Sequence, residues 1–189
     1  MQKSDLRTLY KQRRATLTPE SIETQSLAIA NQVLGLPIWE HTYFHVFLPI
    51  EKQREVNTEF ILHLLAGKDK EIVISKSDFT TREMSHFLLT DSTKLIPNAH
   101  GIPEPVAGLA VPVSTIEVVF VPLLAYDKSG HRVGYGKGFY DTFLQQCKPN
   151  TLKIGLSFFA SEEKIEDVSA NDVALDYVVT PEGVVSCGL

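Results

Sequence analysis

Cysteine is scarce in this chain: Cys147 and Cys187 are the only two among 189 residues. Two distant thiols and no Cys-x-x-Cys pair exclude a disulfide-stapled scaffold and a zinc site of the usual spacing. They fit reduced thiols in the cytosol. Long apolar runs are also missing. The longest, Val118 to Tyr126, includes Pro122 and falls well short of the ~20 residues that span a bilayer. The opening MQKSDLRTLYKQRR is charged and lacks the apolar segment of a secretion signal, so a cytoplasmic protein without a membrane partner is expected. Positive charge is in deficit, with 18 Lys and Arg against 23 Asp and Glu, for a net charge of −5. Such a chain has no general attraction for nucleic acid, and no basic patch is interleaved with aromatics. Any phosphate it binds must be held by local residues.

With 43% hydrophobic residues, the chain suffices for one substantial core but is short for two. Residues 1–189 therefore read as a single domain, for which a monomer is adequate. Leu6, Leu9, Tyr10 and Leu17 give residues 3–17 the stripe of a helix, with Lys3, Arg7, Lys11 and Arg14 recurring about a turn apart on another side. Thr18-Pro19-Glu20 reads as the start of a second helix, running to about Leu34 and closed by Pro37. Strands are expected at Tyr43–Leu48, Ile72–Ser75, Ser85–Leu89, Ile116–Leu124, Leu152–Phe158 and Tyr177–Thr180. Further helices are expected from Asn57 to Gly67 and from Phe139 to Gln146, with a Gly/Pro-rich connection from Pro97 to Pro112. Helices alternating with buried strands predict an α/β layered sandwich, its central sheet parallel or mixed, with ligands at the carboxyl ends of the strands.

The most informative segment is Val121 to Asp141, VPLLAYDKSGHRVGYGKGFYD. Gly134, Gly136 and Gly138 alternate after the strongest strand and before a helix. Such glycines let the backbone approach an anion, and the N–H groups opening the next helix point at it. Arg132 and Lys137 add positive charge on either side. Neither the G-x-G-x-x-G dinucleotide fingerprint nor the P-loop is present, since Lys137 is followed by Gly138 rather than Ser or Thr. Asp141, one turn into the helix, is open to two roles: favouring the helix end, or holding Mg²⁺ beside phosphate. Asp176 and Asp127 are further candidates, Asp127 being equally suited to a turn. Tyr140 is either a core aromatic or a contact to phosphate or ring. His131 either positions phosphate or faces solvent in the turn. Lys3 and Arg7 share a helical face and would supply cations that a triphosphate needs.

PLLAYDKSGHRVGYGKGFYD closely resembles the signature of the 5-formyltetrahydrofolate cyclo-ligases, also called methenyltetrahydrofolate synthetases. The resemblance extends over essentially the whole chain: Lys3 and Arg7, Glu55-x-x-Thr58, Gly101-Ile-x-Glu-Pro105 and the ending LDYVVTPEG. It implies ATP- and Mg²⁺-dependent conversion of 5-formyltetrahydrofolate to 5,10-methenyltetrahydrofolate, with release of ADP and phosphate. It implies ATP-phosphate binding by Lys3 and Arg7, and a nucleotide loop of Arg132, Val133, Gly134, Tyr135, Gly136, Lys137, Gly138, Phe139 and Tyr140. Arg132, Lys137 and Tyr140 would act in catalysis. Ile50 and Glu55 would face the folate, and Asp141 and Asp176 would be the metal-linked carboxylates. The fold would resemble the ribose-phosphate isomerase and CoA-transferase group. Where some members carry glycine, this chain has Lys137.

The N5-formyl carbonyl is a poor target for the N10 amine. Phosphorylation of its oxygen would create a leaving group, after which N10 attack closes the ring. The protein's part would be alignment and charge stabilisation rather than a covalent nucleophile. Lys52 and Arg54 are candidate contacts for a polyglutamate tail, although a solvated charged loop suits them as well. The competing readings are a sugar-phosphate enzyme of similar fold and a non-catalytic folate- or nucleotide-binding protein.

Overall fold

The computed structural model describes residues 1–188. Helix α1 (Lys3–Ala15) buries Leu6 and Tyr10, one turn apart, and carries Asp5 in its first turn and Arg13 and Arg14 in its last, complementing the helix dipole. Helix α2 (Pro19–Val33) opens as the sequence predicts: Thr18 accepts a hydrogen bond from the Ser21 N–H at 3.1 Å, and Pro19 takes the first turn. Strand β1 (Tyr43–His45) is shorter than expected. Beyond it the Phe47 carbonyl is taken by the Thr58 hydroxyl at 2.7 Å rather than by a neighbouring strand. A 3₁₀ turn, Glu51–Gln53, leads to α3 (Glu59–Gly67).

The antiparallel pair β2 (Glu71–Asp78) and β3 (Glu83–Leu88) follows. The expected Pro97–Pro112 connection instead contains part of a small hairpin of β4 (Leu95–Pro97) and β5 (Pro103–Pro105). Its prolines confine it to a two-stranded piece outside the main sheet. Strand β6 (Val118–Pro122) leads into a second hairpin, β7 (Ala125–Tyr126) with β8 (Arg132–Val133). After it come α4 (Phe139–Gln146), β9 (Leu152–Leu156) and β10 (Tyr177–Thr180). A last strand not anticipated from sequence, β11 (Gly183–Ser186), turns back antiparallel on β10.

The main sheet has seven strands in the order β11-β10-β9-β6-β1-β2-β3. The five inner strands are parallel, and the two edges are antiparallel. Alternate side chains serve opposite faces. Phe44, Val118 and Phe120 pack with Ile29 and Val33 of α2 and Ile61 and Leu65 of α3. Val73, Val119 and Val121 pack with Phe143 and Leu144 of α4. Both faces are covered, which is why the inner strands are apolar nearly throughout. The result is a mixed, mainly parallel α/β sandwich, as predicted.

Candidate functional site

Helix α1 does not join either face of the sheet. Leu6 and Tyr10 pack against Leu124, Ala125 and Val133 on the β7–β8 hairpin, beyond the carboxyl end of β6. That packing turns Lys3, Arg7 and Lys11, spaced four apart, into the wall of a cavity of about 520 Å³, also lined by Pro122 and by residues 45–48 at the end of β1 and just beyond it. The sheet therefore presents its ligand site where parallel α/β sheets usually do. Five cationic side chains and three carboxylates line the cavity, so it is net positive within a net negative chain.

The opposite wall is the glycine-rich loop. Gly136 has φ +85°, a conformation that favours glycine, and a Cβ there would crowd the Arg7 guanidinium at 3.3 Å. The Arg7 Nε–H donates to the Gly134 carbonyl at 2.9 Å. Gly138, with φ +78°, caps α4 in the left-handed region. It offers no side-chain acceptor, so the first N–H groups of α4 remain available to an anion. Lys137, at the exposed tip, has no ion-pair partner among the described residues. Arg132 is buried on β8 and held firmly. It donates to the Val173 carbonyl and, at 2.6 Å, to Asp141 Oδ1.

The carboxylates require a correction. Asp141 lines the cavity, but Asp176 does not. Asp176 stands at the amino end of β10 and accepts from the Lys153 N–H at 2.7 Å and from its ammonium at 2.9 Å. The carboxylate that joins Asp141 is Asp172, four residues earlier, which is paired with Lys3 and lies in the cavity wall. Asp141 Oδ1 also accepts the N–H of Val173 at 3.2 Å, so Asp141 and Asp172 meet across one residue. The Lys3 ammonium and the Ser169 N–H hold the Asp172 carboxyl below the usual carboxylate range against the opposing effect of burial. A second correction concerns Val133, whose fully buried side chain belongs to the α1 core rather than to the cavity. Asp127 and His131 pair with each other at 3.2 Å, with Asp127 also taking the Ser129 and Ile165 N–H groups. They shape the β7–β8 turn outside the cavity.

Lys3, Arg7, Arg132, the loop residues Gly134 to Tyr140, Ile50, Glu55 and Asp141 all line the same cavity. Glu55 is buried. It accepts the Ile50 N–H at 2.6 Å and the Tyr135 hydroxyl at 2.9 Å, and Tyr135 in turn accepts from Arg14 at 2.6 Å. Burial raises the Glu55 pKa, while the Ile50 N–H, Arg14 and Tyr135 oppose that rise. Also in the lining, Phe79 stacks on His100 with ring centroids 3.9 Å apart, and Phe139 meets Phe79 edge-on at 4.9 Å. His45 and Ser75, which line it too, are bonded at 2.6 Å. Sequence reasoning missed Asp172, Phe79, His45 and Ser75. Only Asp172 left a signal, as a second aspartate just ahead of the last parallel strand.

The arrangement offers cations and helix N–H groups for an anion, two carboxylates linked through Val173, and a stretch lined by Val46, Phe47, Leu48 and Ile50 beside a buried Glu. The family model for the 5-formyltetrahydrofolate cyclo-ligase family matches residues 1–181. A 5-formyltetrahydrofolate cyclo-ligase of Mus musculus is 30% identical over 165 residues, spanning 80% of this chain and 81% of the relative. One of Escherichia coli strain K12 is 28% identical over 93% of this chain and 98% of its own. The NMR structure of Aquifex aeolicus 5,10-methenyltetrahydrofolate synthetase superposes with a TM-score of 0.84 at 29% identity, covering 98% of this chain and 93% of the other. A match across nearly the whole chain, joined to a cavity built from the residues of the shared signature, establishes that this chain belongs to the 5-formyltetrahydrofolate cyclo-ligase family and is a ligase.

Proposed function

We propose that the protein closes the ring of 5-formyltetrahydrofolate to give 5,10-methenyltetrahydrofolate, using ATP and Mg²⁺ and releasing ADP and phosphate. The observation that carries the reading is the bond from Tyr135 to Glu55, because it joins the glycine-rich loop to the stretch beside Ile50 in one cavity. In this reading the triphosphate lies along Lys3, Arg7 and Lys137 and the α4 N-terminus. The pterin lies against Ile50 and Glu55. Glu55, held by the Ile50 N–H and Tyr135, keeps its position without moving on binding and offers an acceptor to the N–H edge of the ring.

The formyl oxygen must lie in line with the γ-phosphate. Positioning of this kind, with cations around the transferring group, supplies most of the catalysis in phosphoryl transfer. Arg132, fixed by Asp141 and the Val173 carbonyl, presents its charge without reorganising. Tyr140 lies beside it on α4, where burial raises its pKa and keeps the hydroxyl protonated as a donor. Asp141 and Asp172 suit Mg²⁺: both are oxygen donors, and each keeps one carboxylate oxygen without a partner among the described residues. A Mg²⁺ held by them would supply charge neutralisation to the phosphates. Once the formyl oxygen carries phosphate, N10 attacks the carbon and phosphate leaves. The same reading takes the sandwich as kin to the ribose-phosphate isomerase and CoA-transferase group, and the enzyme as a cytoplasmic monomer.

The test is ADP release with and without the folate. Release that requires 5-formyltetrahydrofolate supports the reading. Release that is indifferent to it, or that responds to a sugar phosphate instead, overturns it.

A further inference from the structure

Lys3 and Asp172 both line the cavity, and in the empty site they satisfy each other. Lys3 stands in the first turn of α1 and Asp172 in the connection from β9 to β10. Asp172 Oδ2 accepts from the Lys3 ammonium and from the Ser169 N–H, whereas Oδ1 has no partner among the described residues. The two side chains are 19% and 18% exposed, so little water or salt screens the contact. The Lys3 N–H donates to Asp167 Oδ1 at 2.6 Å, which ties its backbone to the same connection. The backbone is thus pinned, while the flexible four-carbon stem can carry the ammonium elsewhere.

Arg132 and Asp141 form the other ion pair between cavity-lining residues, and it is built differently. The Arg132 guanidinium divides its donors between Asp141 and the Val173 carbonyl, so losing one acceptor leaves it anchored by the other. The Lys3 ammonium has one acceptor among the described residues, Asp172. Arg7 is held by the Gly134 carbonyl, and Lys11 has no ion-pair partner among the described residues. Of the two pairs that tie a cation to a carboxylate suited to Mg²⁺, the one made by Lys3 is therefore the one that can open.

Resting on the placement of Mg²⁺ and triphosphate above, we propose that the Lys3–Asp172 pair makes the empty site selective for the metal–nucleotide complex over either component alone. A divalent ion and an ammonium on the two oxygens of one carboxylate are like charges held close in a poorly screened wall, and they repel. The ion therefore enters only as Lys3 leaves. Metal-free nucleotide meets the reverse difficulty. To reach a phosphate, Lys3 must abandon Asp172, leaving a partly buried carboxylate uncompensated beside an anion. The complex brings both replacement partners at once, a metal for Asp172 and a phosphate for Lys3, so every charge keeps an opposite neighbour. Lys3 thus has two stations, and its pinned backbone confines the exchange to the side chain.

The experiment titrates Mn²⁺ alone into the full chain without nucleotide, with the free ion read by electron paramagnetic resonance. Lys3→Met removes the competitor and tightens Mn²⁺ binding ~10-fold, the scale on which ligand charge tunes such sites. Lys11→Met removes the same charge about 12 Å further along α1, beyond the screening length at physiological salt, and shifts Mn²⁺ affinity less than about twofold. ATP in excess EDTA binds Lys3→Met more weakly than the unaltered chain. Opposite signs for metal and nucleotide in one variant mark the exchange, since a merely structural role for Lys3 would weaken both. Lys3→Gln keeps a hydrogen bond without the charge, shifts both affinities the same way, and carries the test where Lys3→Met does not fold. Unchanged or weaker Mn²⁺ binding in a folded Lys3 variant, equal tightening in Lys11→Met, or no Mn²⁺ bound by any of them overturns the exchange alone. If adding Asp172→Asn to Lys3→Met leaves Mn²⁺ binding intact, the placement of the metal falls and the exchange with it. The ring-closure reading fails separately, by the absence of a methenyl band from the unaltered protein.

Discussion

The Tyr135 hydroxyl donates to Glu55 across 2.9 Å while accepting from Arg14 across 2.6 Å. A buried cation and a buried carboxylate are thus joined through a neutral hydroxyl rather than in direct contact. Arg14 belongs to α1, Glu55 to the segment after β1, and Tyr135 to the glycine loop, so one hydroxyl ties together three separate walls of the site. Tyr135→Phe leaves Glu55 Oε1 and an Arg14 N–H without this partner in a buried setting. The expected loss is about 1–3 kcal/mol in urea unfolding. A raised KM for the folate, larger than any change for ATP, is expected in the same variant.

Asp172 and Asp176 are four residues apart yet have different neighbours. Asp172 faces the cavity with Lys3, whereas Asp176 pairs with Lys153 outside it. Titrating Mg²⁺ against activity separates them. Asp172→Asn requires at least ~10-fold more Mg²⁺ for half-maximal rate, the scale of one lost carboxylate in a charge-dependent site. Asp176→Asn keeps the Mg²⁺ response and loses only stability. The reverse pattern would return the metal to Asp176.

Arg132 is fixed by a carboxylate and a carbonyl at once. A lysine has a single ammonium and lacks the planar fork that satisfies both. Arg132→Lys therefore behaves nearly like Arg132→Ala. A fall in kcat of ~10²–10³-fold is expected, the range for removing one preorganised donor at developing charge. Recovery of most activity in the lysine variant would show that charge alone is needed.

Stability is expected to fall as pH drops from 6.5 to about 4, the interval between the ordinary value of His86 and its value in the fold. Within that interval the unfolded chain binds the proton and the folded chain does not, so protons favour unfolding. The contribution of His86 is about 3 kcal/mol across the window. Glu55 acts in the opposite sense, because burial raises its pKa and its charge is relieved as pH falls. The comparison of His86→Gln with the unaltered protein isolates the histidine. The variant has a flatter profile between pH 4 and 6.5 in thermal or urea unfolding, and an unchanged slope would place the sensitivity elsewhere.

Features encoded by local periodicity were legible in the sequence. Ile116 to Leu124, apolar nearly throughout, reads as a doubly covered strand, and its Val118–Pro122 portion is one. Lys3 and Arg7, four apart, read as one helical face, and α1 turns that face into the cavity. The glycine alternation reads as an anion cradle, and the loop that carries it lies against Arg7. Registers and distant neighbours were not legible. The sequence reading names Asp176 and not Asp172, because nothing in the spacing tells which residue of the β9–β10 connection faces the cavity. Val133 sits inside the loop motif, but its place on β8 sends its side chain to the α1 core. His45, Ser75 and His86 lie on three strands and meet only through the β1–β2 and β2–β3 pairings. Strand β11 is four residues long and rests on tertiary pairing with β10 rather than on any pattern of its own.

The most direct measurement is the absorbance band of methenyltetrahydrofolate on mixing purified protein with 5-formyltetrahydrofolate, ATP and Mg²⁺. The account predicts a band that grows with all three present and fails when either ATP or Mg²⁺ is withheld. A folded protein that binds ATP and yields no band, or one that yields it without ATP, would contradict the account.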